Sequence, residues 1–117
     1  MRLPQDIASL LAVAIRDVIW FKQNVFAFLE NCGVPNSIML EVRRQRDTPT
    51  IKLVHLVLDR LSDKGDEGFK AARTMLTKMH YWKDVHTIPE DRRDQALASL
   101  KALQDGYRRY EAQIRHQ

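Results

Sequence analysis

The stretch Thr50–Trp82, TIKLVHLVLDRLSDKGDEGFKAARTMLTKMHYW, decides the fold. Ile51, Val54, Leu58 and Leu61 recur at helical steps, and Leu53, Leu56 and Val57 widen that face beyond one stripe, as expected of a mostly buried helix. Gly65 can take positive φ and end it. Phe69, Ala72, Leu76 and Met79 then repeat the period, so the stretch reads as a helical hairpin around which the rest of the chain is arranged.

Upstream, Pro4 suits a helix first turn, and Asp6 places an acid at the positive end of the dipole. Ile7, Leu10, Leu11, Ala14, Ile15 and Val18 then predict a core-facing helix to about Trp20. Phe21, Val25, Phe28 and Leu29 carry a second helix closed by Asn31, Cys32 and Gly33. Of Phe21, Phe26 and Phe28, Phe26 is the one expected at the surface. Asn36 or Ser37 caps a third helix with Ile38, Met39, Leu40 and Val42 inward. Thr48 and Pro49 read as N-cap and first-turn proline of the hairpin.

Downstream, Thr87 and Glu90 form a capping-box pattern that opens a sixth helix. Ala96, Leu100, Leu103, Tyr107, Tyr110 and Ile114 recur with heptad spacing, the first half as core. Gly106 costs that helix about 1 kcal/mol relative to Ala. Residues 1–105 are therefore expected to form one helical interaction domain, and 106–117 a helix extension or the start of a linker. The predicted fold class is all-α, a compact antiparallel bundle of about six helices.

The 117 residues, 44% of them hydrophobic, fit one ordered domain, and a chain of this length buries roughly two-thirds of its extended surface without staples. The single cysteine, Cys32, excludes an intramolecular disulfide and fits a reducing cytoplasm. Asp6, Arg16 and Asp17 interrupt the amino-terminal apolar run, which reads as neither signal peptide nor membrane span.

No phosphate-binding glycine loop, GxSxG elbow or HExxH helix occurs, and His80, His86 and Cys32 lack zinc-ligand spacing. No catalysis, metal or cofactor is expected. His55, inside an apolar helix, reads as a hydrogen-bonded structural histidine. Trp82 reads as an anchor for its helix end, with Asp84 bonding nearby amides.

Charge is more informative. Arg43, Arg44 and Arg46 form a basic group, while Asp59, Asp63, Asp66 and Glu67 concentrate acid around the hairpin turn. Both groups read either as solvated faces or as complementary patches for a head-to-tail contact between like domains. The net charge of +4, with Arg92, Arg93, Lys101, Arg108 and Arg109 on the last helix, leaves an alternative: a helical nucleic-acid-binding accessory domain of a restriction-type nuclease. Acids interleave each cluster, which weakens a phosphate-tracking face.

The hairpin also carries a resemblance. Thr50 with Lys52, the Val57 to Leu61 core, Gly65, Arg73 with Leu76, and Trp82 with Asp84 resemble an amino-terminal helical domain of bacterial antiphage defence proteins, restriction-endonuclease-like or protease-associated. Phe28, Leu29, Gly33, Val34 and Pro35 extend the pattern, so it covers most of residues 21–104. A bundle of this layout is similar to the death fold of the caspase-recruitment (CARD) type. The resemblance implies a non-enzymatic adaptor that assembles with itself or a similar helical domain and recruits a protease, nuclease or gasdermin effector. No such effector domain is attached before Gln117, and the expectation is a domain excised from a larger protein.

Overall fold

A computed structural model describes residues 2–115. Its hub is α1, Gln5–Val18, which packs most extensively on α6, Glu90–Arg115, and also contacts α4, Thr50–Ser62, and α5, Gly65–His80. That position requires more than one apolar stripe. α1 buries Ile7, Ala8, Leu11, Ala12, Ala14, Ile15 and Val18, a broader arc than the ~100° face of a surface helix. Three of these are alanines, which let neighbouring helices approach. The hairpin expected at the centre of the fold is present as α4 and α5, but both its helices, together with α6, pack on α1. α2, Lys22–Asn31, and α3, Asn36–Arg44, complete the six, with α3 seated between α2 and α4. The bundle is a slab of 39 × 38 × 19 Å, and its short dimension accommodates two helix layers at the ~8–10 Å spacing of packed helices.

The turns follow from backbone requirements. Gly65 adopts φ +65 after the Asp63 cap, so the chain reverses without a Cβ penalty. Gly33 adopts φ +91 beyond α2, where its N–H bonds the Glu30 carbonyl at 3.0 Å and the Val34 N–H bonds Leu29 at 3.2 Å. This pair of bonds is the Schellman pattern, and it satisfies carbonyls that the helix end would otherwise orphan.

The helix starts differ from the sequence expectation in a consistent way. Pro35 and Pro49 are themselves the N-caps of α3 and α4, without side-chain capping bonds. Their carbonyls accept from Met39 at 3.0 Å and Leu53 at 3.1 Å. Asn36 is therefore already helical, and Thr48 stays outside, its N–H bonded to Gln45 at 2.8 Å. Among the described residues Thr87 makes no capping bond either, since Pro89 immediately precedes α6. A proline can fill the cap because the cap position wants extended backbone and needs no donor. α1 begins after Pro4 by the same device and ends at Val18, short of Trp20.

The aromatic assignments also change. Phe26 is buried at 9% exposure, under Arg43, whose guanidinium lies 5.9 Å from its ring centroid, whereas Phe21 is 54% exposed because it precedes the first turn of α2. α6 runs unbroken through Gly106, which is buried with Leu10 and Ile7 of α1 packed over it. Tyr110 beyond it is also buried. Residues 116 and 117 of the expected extension lie outside the described residues. Asp17 clasps the α1–α6 contact, accepting from Arg16 Nε at 2.9 Å and from the Ser99 hydroxyl.

Candidate functional site

Three regions bear on function: the two charged clusters and a groove beside α2. Arg43 and Arg44 occupy the last turn of α3, Arg46 lies in the following loop, and all three are exposed. Asp63 caps α4, while Asp66 and Glu67 fill the first turn of α5. In chain order the basic cluster precedes α4, and the acidic cluster runs from Asp59 in the last turns of α4 into the first turn of α5.

Local structure accounts for part of this charge. Arginines at the end of α3 and acids at the start of α5 each complement their own helix dipole. Arg43 also pairs with Glu30, and Asp59 pairs with Arg2 at 3.4 Å. Glu41 takes both Nε and Nη2 of Arg60 at 2.9–3.2 Å, which ties α3 to α4. These Arg60 bonds hold the Glu41 carboxyl below its usual range. Among the described residues Arg44, Arg46, Asp63, Asp66 and Glu67 form no ion pair.

The clusters have apolar neighbours that sequence reasoning did not single out. Leu40, read as an inward residue, is 57% exposed and lies one helical turn before Arg44 on α3. Half-buried Phe69 lies one turn after Asp66 and lines a shallow hollow on α5. Each charged end thus carries a contact that could be desolvated.

The groove beside α2 has a volume of about 540 Å³. Trp20 and Phe21 form one wall at the α1–α2 break, their centroids 3.8 Å apart. Phe28 meets Trp82 edge-on at 6.0 Å on its floor. Trp82 Nε1 donates to the Asp84 backbone carbonyl at 3.0 Å, so Trp82 anchors the end of α5 as expected, but through Asp84's main chain rather than its carboxylate. Lys78 donates to the Asn31 carbonyl at 3.0 Å, and Arg92 stands 5.9 Å from the Trp20 ring. Sequence reasoning ended the first helix at about Trp20 and counted Phe21 on the apolar face of the second. The adjacent aromatics at that junction were the available signal.

The histidines and the cysteine are dispersed. Cys32 is buried at the end of α2, and burial pushes its thiol up to about 11 against the opposing field of Lys78. His80 stacks on Tyr107 at 4.0 Å, its Nδ1 without a hydrogen-bond partner among the described residues, with its pKa lowered by burial and then by Arg108. His86 is exposed in the loop ahead of α6. Half-buried His55 makes no side-chain hydrogen bond among the described residues, contrary to the expected bonded histidine. Among those residues no group of three or more His, Cys, Asp and Glu side chains is placed to hold a metal ion, and no helix is long and apolar enough to cross a membrane. Comparison with protein-family models, curated proteins and solved structures returns no match.

Proposed function

We propose that this chain is a non-enzymatic interaction module that assembles head to tail, with copies of itself or with a similar helical domain, to recruit or cluster an effector. The observation that carries the reading is two groups of exposed charge of opposite sign that form no ion pair among the described residues: Arg44 and Arg46 ahead of α4 in the chain, and Asp63, Asp66 and Glu67 after it. A contact between unlike groups leaves one free group of each sign, so it propagates or closes into a ring. Leu40 beside Arg44 and Phe69 beside Asp66 supply apolar anchors, which matter because exposed ion pairs alone contribute little.

The resemblance of the α4–α5 hairpin to helical domains of bacterial antiphage defence proteins directs the proposal to that setting, with a protease, nuclease or gasdermin system as effector. Six helices in one bundle support a fold of the caspase-recruitment type. The cytoplasm is the proposed compartment. Pairing of Arg43 with Glu30 and of Arg73 with Glu111 occupies arginines that a phosphate-tracking surface would need.

Sedimentation velocity over a concentration series tests the reading. Self-association that weakens as salt rises is the expected result, since exposed complementary charges are screened. A strict monomer at high concentration that is also indifferent to its genomic neighbours' products would sink it. A salt-sensitive shift of duplex DNA without self-association would favour the accessory-domain alternative.

A further inference from the structure

The groove beside α2 is not used by the head-to-tail contact. We propose that it binds an extended segment of a partner protein, one that carries a large apolar side chain flanked by acidic residues. The inference starts from α2, whose Asn24, Ala27, Phe28 and Asn31 line the groove at steps of three, one and three, as one helix face does. The two asparagines are seven positions apart, about 10 Å along a helix axis, which matches three residues of extended chain at about 3.3 Å each. A carboxamide offers a donor and an acceptor together, the complement of a peptide unit. Among the described residues neither Asn24 nor Asn31 spends its side chain on an internal hydrogen bond, and Lys78 uses only the Asn31 main-chain carbonyl.

Between the asparagines Ala27 leaves room, and Phe28 backed by Trp82 makes an apolar floor. Trp20, 37% exposed, and Phe21 wall this space. One large apolar side chain of the segment fills it. Charge then selects what flanks that anchor. The Lys78 ammonium gives one of its protons to Asn31, keeps two for an incoming carboxylate and forms no ion pair among the described residues. Asp84 is the single carboxylate lining the groove. The Lys78 ammonium favours an acidic residue beside the anchor, and one lining cation is too few for a nucleic-acid track. A lipid surface would want a protruding apolar face rather than a concave one.

Fluorescence polarisation with labelled peptide pools of about ten residues tests this on the full chain. One pool has a central Phe with flanks drawn from Glu, Asp and Ser; the second has Ala at the centre; the third replaces the acids by Lys. The first pool is expected to bind about tenfold tighter than either control. The exposed double substitution Asn24→Ala, Asn31→Ala should lower that affinity about tenfold with an unchanged melting curve. Arg44→Glu, which addresses the head-to-tail contact, should leave it untouched, so the two readings fail separately. Equal binding or none by all three pools overturns the inference, as does full affinity in the asparagine variant. Tighter binding to oligothymidine or to phosphatidylserine vesicles does the same by assigning the groove to another occupant.

Discussion

Gly68 on α5 faces the backbone carbonyl of Leu61 on α4 so closely that a Cβ built on the glycine would stand 1.8 Å from that oxygen. This is the tightest such approach at the chain's four glycines, and the opposing atom is main chain, which cannot rotate away. Gly68→Ala should therefore cost at least about 2 kcal/mol despite the gain in helix propensity. At this size that corresponds to a fall of roughly 8 °C or more in melting temperature, measurable by calorimetry.

Gly106→Ala should behave differently. Its Cβ would meet Leu10 Cδ1 at 2.7 Å and Ile7 Cδ1 at 3.4 Å, both ends of rotatable side chains. Repacking opposes a propensity gain of about 1 kcal/mol, so the net change should lie within about 1 kcal/mol of zero. Comparing the two melts separates backbone crowding from side-chain crowding.

These two glycines mark what was legible in the sequence. The six helices and the Gly65 turn follow from apolar period and from a residue free to take positive φ. Gly68 and Gly106 carry no such mark, because their purpose is set by a partner helix distant in sequence. The same holds for α1: periodicity shows that Ile7, Leu11 and Ile15 are buried but not that three helices converge there, although Ala8, Ala12 and Ala14 were a hint. Charge clusters such as Arg43 to Arg46 are local in sequence and could be read directly. The groove joins Trp20 and Phe21 to Phe28 and Trp82, residues from three parts of the chain, and only tertiary packing brings them together.

Cys32 should be a slow nucleophile. Its thiol is raised from 9.0 to about 11 by burial, so at pH 8 its thiolate fraction is about a hundredfold below that of the unfolded chain. Reaction with a disulfide reagent at pH 8 should be at least that much slower in buffer than in guanidinium. The linkage has a definite sign: between pH 9.0 and about 11 the unfolded chain releases a proton the folded chain keeps, so stability falls as pH rises. Cys32→Ala should remove that part of the alkaline slope.

Glu41 governs the opposite limb. Its carboxyl is held below 4.5, first by the hydrogen bonds from Arg60. The stabilisation is complete above 4.5 and is lost as pH falls through the lower folded-state value. Both side chains are exposed enough for screening, so the effect should be small and salt-sensitive. Denaturant titrations of Glu41→Gln against the parent chain should differ at pH 6, and the difference should shrink as pH falls below 4.5.

The head-to-tail contact makes a prediction that other assemblies do not. Arg44→Glu alone brings acid against the acidic end of the next copy, and Asp66→Lys alone brings cation against the basic end. Each should weaken association about tenfold or more, because like charges across a contact are repulsive. Mixed in equal amounts, the two variants should associate again. The reversed charge at position 44 in one chain then meets the reversed charge at position 66 in the other, and the remaining junction keeps the original Arg44 with Asp66. Each chain type therefore excludes itself and accepts the other, giving an alternating assembly that sedimentation of the mixture should reveal. A symmetric contact that places the two copies of α3 together would give a different result: Arg44→Glu would pair with the other variant's unaltered Arg44, and the mixture would stop at dimers.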